Sequence, residues 1–138
     1  MCRMRLLSFL GFLLISGGAP LMAHHAFSAE FDLNRPIQFT GRVTQVEWVN
    51  PHSWIHVDAK LPDGSIQDWA IEAGTPNTLL RRGLRKSDLQ IGTEIKVTGW
   101  QSKDGGFRAN GSNITLPDGR SLFLGAEGTA PDDPKKGR

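Results

Sequence analysis

The chain has 138 residues, with 16 Lys plus Arg, 14 Asp plus Glu and one cysteine, a length that gives a single domain with one modest core. Two of the basic residues, Arg3 and Arg5, sit at the extreme N-terminus, and from His24 onward acidic and basic residues balance at fourteen each. Bulk charge therefore gives no support to nucleic-acid binding.

Residues 1–23 read as an export signal: Arg3 and Arg5, then the apolar run Leu6 to Ile15, then Ser16-Gly17-Gly18-Ala19-Pro20. About ten apolar residues fall well short of the roughly twenty that a membrane-spanning helix needs, so cleavage rather than anchoring is expected. Ala23 is the best small residue for the cleavage point. The mature protein, periplasmic or secreted, would then begin at His24 and have no membrane span. Cys2 leaves with the signal, and the mature chain has neither disulfides nor thiolate metal sites.

Residues 24–36 read as an extended lead-in that Phe27 and Phe31 pin to the domain that follows, residues 37–124. The first strand carries Ile37, Phe39, Gly41 and Val43 on one face, and the phase then flips so that Val46 and Trp48 continue it. That flip requires a β-bulge near Thr44-Gln45, and Gly41 marks a place where the strand can bend. After the Asn50-Pro51 corner a second strand, Ser53 to Leu61, buries Ile55, Val57, Ala59 and Leu61 and sets His52, Trp54, His56 and Asp58 on the other face. The turn Pro62-Asp63-Gly64-Ser65 leads into a third strand, Ile66 to Ala73, with Trp69, Ile71 and Ala73 inward. Facing both inward sets to one core pairs Val57 with Ile71, and hence His56 with Glu72 on the outer face.

Thr75 caps a two-turn helix with Pro76 in its first turn and Gly83 at its end. A fourth strand, Glu94 to Trp100, puts Ile95 and Val97 inward. Lys103-Asp104-Gly105-Gly106 is a turn, and strand-like residues return at Ile114 to Leu116 and Leu122 to Leu124. Residues 125–138 bury nothing and read as a disordered tail. The fold class is mainly β: a small OB-like antiparallel barrel of five to six strands, with one short helix between strands 3 and 4. An open β-sandwich fragment has the same order, and the bent first strand favours the barrel.

The run A-H-H-A-F, then F-x-G-x-V-x-x-V-x-W-V-N-P-H-x-W-I-H, W-x-I-E-x-G-x-P and G-x-x-I-x-V-x-G-W, resembles a domain-of-unknown-function family of small exported bacterial proteins. The resemblance covers roughly Ala23 to Leu124. It implies an exported protein and supports the barrel, and it brings no reaction, substrate or site residue.

His24 at a mature N-terminus offers an amine and an imidazole from one residue, a chelate that suits copper, with zinc or nickel as alternatives. The ordinary alternative is a solvated terminus. The candidate metal residues are His24, His25, His52 and His56. The last two are four residues apart on a strand, about 13 Å, too far to share one ion comfortably, so at most one completes an N-terminal site. Otherwise His56 meets Glu72 across the strands and His52 fixes the corner after Pro51. Of the four tryptophans, Trp48 and Trp69 point inward. Trp54 and Trp100 point outward and, with Asp58 and Glu72, make a candidate surface for an unknown protein or small ligand. No catalytic set is legible: there is no nucleophile motif, phosphate loop or H-E-x-x-H. The leading expectation is a non-enzymatic binding module, the alternative a periplasmic copper or zinc binder.

Overall fold

The computed structural model describes residues 27–125; the expected export signal, His24, His25 and the expected tail beyond Gly125 lie outside them. Six strands follow in order: β1 Phe31–Glu47, β2 Trp54–Lys60, β3 Ile66–Glu72, β4 Glu94–Ser102, β5 Arg108–Thr115 and β6 Ser121–Phe123. Helix α1, Pro76–Arg81, and a 3-10 turn, Lys86–Leu89, stand between β3 and β4. They form one sheet in the order β3-β2-β1-β4-β5-β6, and β3 pairs with β5 as well. The pairings thus run from β1 through β2, β3, β5 and β4 back to β1.

The expectation of a purely antiparallel sheet is corrected at that last pairing. Ala70, Ile71 and Glu72 lie beside Arg108, Ala109 and Asn110 in parallel. The cause is the crossover: α1, the 3-10 turn and β4 intervene, so β5 returns in the same direction as β3.

β1 pairs with β2 along one edge and with β4 along the other, and it changes phase along its length. Its register against β2 shifts between Val43 and Gln45, with Val43 opposite Val57 and Val46 opposite Ile55. Thr44 is the extra residue of this bulge, where the sequence reading expects it. Gly41 sits where a Cβ would come within 2.5 Å of the Asp58 carbonyl oxygen, so the close approach of β1 and β2 requires glycine there.

Two expectations about local structure are overturned. The lead-in is not extended throughout: residues 27–30 are helical, and β1 begins at Phe31 rather than Ile37. Phe27 and Phe31 are both buried with ring centroids 5.7 Å apart. Residues four apart meet that closely on a helical turn and would be about 13 Å apart on a strand.

The second correction is the register of the β2–β3 hairpin. Ile55 faces Ile71, Val57 faces Trp69 and His56 faces Ala70, so the residue opposite Glu72 is Trp54, not His56. The turn decides this. Leu61 N–H donates to Ser65 O at 2.8 Å, and Asp63 Oδ1 accepts from both Ser65 N–H at 2.9 Å and Ser65 Oγ–H at 2.6 Å. Closing the loop at Leu61 and Ser65 makes it two residues tighter than the expected pairing, with both inward sets still facing the core.

At the end of β3, Thr75 Oγ1 accepts from Thr78 N–H at 3.2 Å and Pro76 opens α1, satisfying the helix start without a donor the proline lacks. Gly83 takes a positive φ of 91°, and Leu84 N–H then reaches back to Leu79 O at 3.0 Å. Leu79 and Leu84 are thereby buried with Val43, Ile55, Val57, Trp69, Ile71, Ile95, Val97 and Ile114 in one core, against which Phe39, Val46 and Trp48 pack part-buried.

Candidate functional site

Directly paired residues of neighbouring strands project from the same face of a sheet. Trp54 is paired with Glu72, Glu72 with Asn110, and Asn110 with Trp100. Four side chains therefore form a row across β2, β3, β5 and β4, facing away from the core that Ile55, Ile71 and Ala109 fill. The two indoles at its ends are half-buried. The polar pair between them is covered far more: Glu72 is 6% exposed and Asn110 7%.

Described residues around the row account for its electrostatics. His52 Nδ1 is in direct contact with Glu72 Oε1. Ser53 holds the corner in place, accepting from Ala73 N–H at 2.8 Å and donating its own N–H to Gly74 O at 3.1 Å. The Arg108 guanidinium lies 5.8 Å from the Trp54 ring centroid, within cation–π range, and pairs with Glu30 at 3.2 Å. Burial pushes the Glu72 carboxyl above the ordinary glutamate value; the charge of His52 pulls it down, Glu30 adds to the rise and Arg108 opposes it. At the other end Phe27 stands edge-on to Trp100, centroids 5.7 Å apart, and Lys103 N–H donates to Glu30 O at 2.9 Å. The helical turn is thus fastened beside the row.

A groove of about 470 Å³ opens beside Trp100, lined also by Pro36, Gln38, Thr98 and Asn113. Its walls mix apolar side chains, Pro36, Ile37 and Trp100, with amide and hydroxyl groups, a lining suited to a neutral or weakly polar ligand.

Residues 12–112 of the chain match the model of a family of unknown function, DUF6152. The chain belongs to that family. No curated protein and no solved structure matches it. The part of the chain matched to DUF6152 takes in every member of the row, Trp54, Glu72, Trp100 and Asn110, and ends within β5 before β6 begins.

In this DUF6152 chain the candidate residues from the sequence are regrouped. Trp54, Glu72 and Trp100 come together, with Asn110 joining them. Glu72 is buried rather than an open surface group. His56 is not its partner: His56 Nε2 lies 3.0 Å from Glu47 Oε1 and its Nδ1 3.9 Å from Asp68 Oδ2. Asp58 belongs with this second group, opposite Asp68 on β3 and Arg42 on β1. His52 takes the place beside Glu72 that the sequence reading assigns to His56. Among the described residues no three His, Cys, Asp or Glu converge as a metal site, and no helix is long and apolar enough to cross a membrane.

Glu30, Arg108 and Asn110 escape the sequence reading. For the last two a signal exists: Arg108-Ala109-Asn110 alternates polar, apolar, polar, and reading it as the start of β5 puts both polar residues outward. Nothing in the pattern of Glu30 reports that it meets Arg108, which lies 78 positions along the chain.

Proposed function

We propose that this protein is an exported, non-enzymatic binding module built on an OB-type barrel, with the row Trp54, Glu72, Asn110 and Trp100 as its ligand or partner face. The observation that carries this reading is the pair of half-buried indoles flanking a covered carboxyl and amide, with a groove alongside one indole. Aromatic groups at the ends supply contact area and the polar centre supplies selectivity. The OB-type reading is supported by the circuit of pairings that returns to β1 and by the helix between β3 and β4. Export rests on the sequence of residues 1–23. The test follows the four indole N–H resonances while panels of neutral oligosaccharides and short peptides are added. A binder should shift Trp54 and Trp100 and leave Trp69 unmoved, and Trp54→Ala should weaken it with the fold retained. Binding that moves neither outer indole, or Trp54→Ala unfolding the protein, overturns the reading.

A second reading is copper binding at the mature N-terminus through the amine and imidazole of His24, helped by His25 and one further histidine. It is favoured by one specific observation: Phe27, three residues downstream of His24, is docked on Trp100, and Glu30 is paired to Arg108. The stretch of chain following the two histidines is therefore anchored at the face that carries His52. Copper titration of protein beginning at His24, against protein with one extra N-terminal residue, tests it. Equal affinities would sink the chelate.

A further inference from the structure

The strand pairings order the walls of the groove beside Trp100 into two rows. Pro36 of β1 is paired with Trp100 of β4. Two positions along each strand, Gln38 is paired with Thr98, and Thr98 with Asn113 of β5. Directly paired residues share a face, and so do residues two apart on one strand. A row of proline and indole therefore lies alongside a row of amide, hydroxyl and amide, and all of them border one groove of about 470 Å³. Gln38 is exposed, and Thr98 and Asn113 are half-buried. Asn113 Nδ2 donates to Ser112 Oγ at 2.8 Å, which orients its amide and leaves the side-chain oxygen as an acceptor.

This arrangement selects a ligand class. No described residue lining the groove is charged, and an ion entering it would lose water without gaining a partner. β4 runs along the middle of the groove, hydrogen-bonded to β1 on one edge and to β5 on the other, so its backbone is already used and an extended peptide cannot add to it as a strand. Recognition falls to side chains. Amides and hydroxyls both donate and accept, as the hydroxyls of a sugar do, and the indole beside them offers a flat apolar surface to the C–H face of a pyranose ring.

We propose that this groove is a saccharide subsite: it takes a neutral pyranose with its C–H face toward Trp100 and Pro36 and its hydroxyl edge on Gln38, Thr98 and Asn113. The proposal rests on the reading of the outer face as a ligand face and names what that face takes.

The experiment adds to the mature protein cellotriose, maltotriose and triacetylchitotriose, then glucuronate and glucosamine as charged rings, then a capped neutral tripeptide, and follows the indole N–H resonances. A neutral trisaccharide should move the Trp100 resonance furthest, and the charged rings and the tripeptide should leave it in place. Gln38→Ala and Thr98→Val should each weaken that saccharide about fivefold, the loss of one hydrogen bond. Thermal melts on both separate a lost contact from a lost fold. Gln38→Glu, of nearly the same shape, should weaken the neutral saccharide and admit glucosamine, a change of specificity that a purely structural role for Gln38 does not produce. A tripeptide or charged ring that moves Trp54 and Trp100 where no trisaccharide does overturns this inference and leaves the ligand-face reading standing. A trisaccharide that moves Trp54 and not Trp100 overturns the placement in the groove. Wild-type saccharide affinity in both Gln38→Ala and Thr98→Val overturns the role of the polar row. Outer indoles unmoved by every one of these probes overturn both readings.

Discussion

Phe27 meets Trp100 edge-on, with ring planes at 87°, and this contact ties the helical turn at residues 27–30 to the outer face of the sheet. The edge of one ring is positive where the face of the other is negative, so the geometry is attractive beyond the area it buries. The turn has further ties at Lys103 and Arg108, both exposed and individually weak.

Phe27→Ala should therefore free the turn without unfolding the sheet. The expected loss in global stability is at most about 2 kcal/mol, below the range for a fully enclosed phenylalanine, because the segment can undock instead of leaving a cavity. Hydrogen exchange checks this directly. Protection should vanish at Lys103 N–H, whose acceptor is Glu30 O, and persist at Val57 and Val97 in the core strands. Loss of protection throughout would mean that the turn is part of the cooperative core.

The contrast between what was and was not legible in the sequence has a common cause. The alternation of Ile55, Val57 and Ala59, and the phase change between Val43 and Val46, are local, and they give the strands, the bulge and the core directly. Thr75-Pro76 and Gly83 carry local capping chemistry and give the helix. Register is less local: two pairings of β2 with β3 bury the same apolar set, and the Asp63 to Ser65 hydrogen bonds choose between them. The site depends on register: moving it by two residues puts Trp54 rather than His56 opposite Glu72 and leaves His56 with Glu47 and Asp68. Its remaining members, Glu30, Arg108 and Asn110, meet through the parallel β3–β5 pairing and the docked turn, contacts that no window of the sequence contains.

Gly99 is the point at which the row depends on backbone space. A Cβ there would run into the carbonyl oxygen of Asn110, and a backbone atom held in the β4–β5 ladder cannot move aside. Gly99→Ala should lower stability by about 1–3 kcal/mol, the cost of overpacking, and shift the Trp100 indole resonance. A urea midpoint equal to the wild type would show that β4 and β5 part there freely.

Arg120 links three segments. Its guanidinium donates to Asp118 at 2.7 Å, to Asp88 at 2.9 Å and to Gly83 O at 2.9 Å, joining the end of α1 and the 3-10 turn to the β5–β6 turn. The Arg85 backbone N–H, above all, lowers the Asp88 carboxyl below its ordinary value, and the Arg120 backbone N–H does the same for Asp118. A carboxylate whose folded value is depressed contributes stability above its unfolded value and loses it as pH falls through the folded one. Stability should thus decline as pH drops below about 4, the ordinary aspartate value. In Asp88→Asn that decline should be shallower, since one depressed carboxyl is gone. Acid titration of the urea midpoint for both proteins checks the sign, and parallel curves would remove Asp88 as a contributor.

Asn110 offers the sharpest separation of stability from binding. Its side-chain oxygen is buried with no hydrogen-bond partner among the described residues, and such a group costs the folded state its desolvation without a hydrogen bond in return. Replacing it with an apolar side chain of similar size removes that cost. Asn110→Leu should therefore melt at the same temperature as the wild type or higher, with a gain of up to about 1 kcal/mol. The substituted residue still lies between Trp100 and Glu72 on the outer face, so the row keeps its shape but loses its central amide. Any ligand or cation that uses this oxygen should bind more weakly to a protein that is no less stable. A destabilisation beyond about 1 kcal/mol would show that the Asn110 amide serves the fold through its other polar atoms. Unchanged stability with unchanged binding would remove the residue from the site.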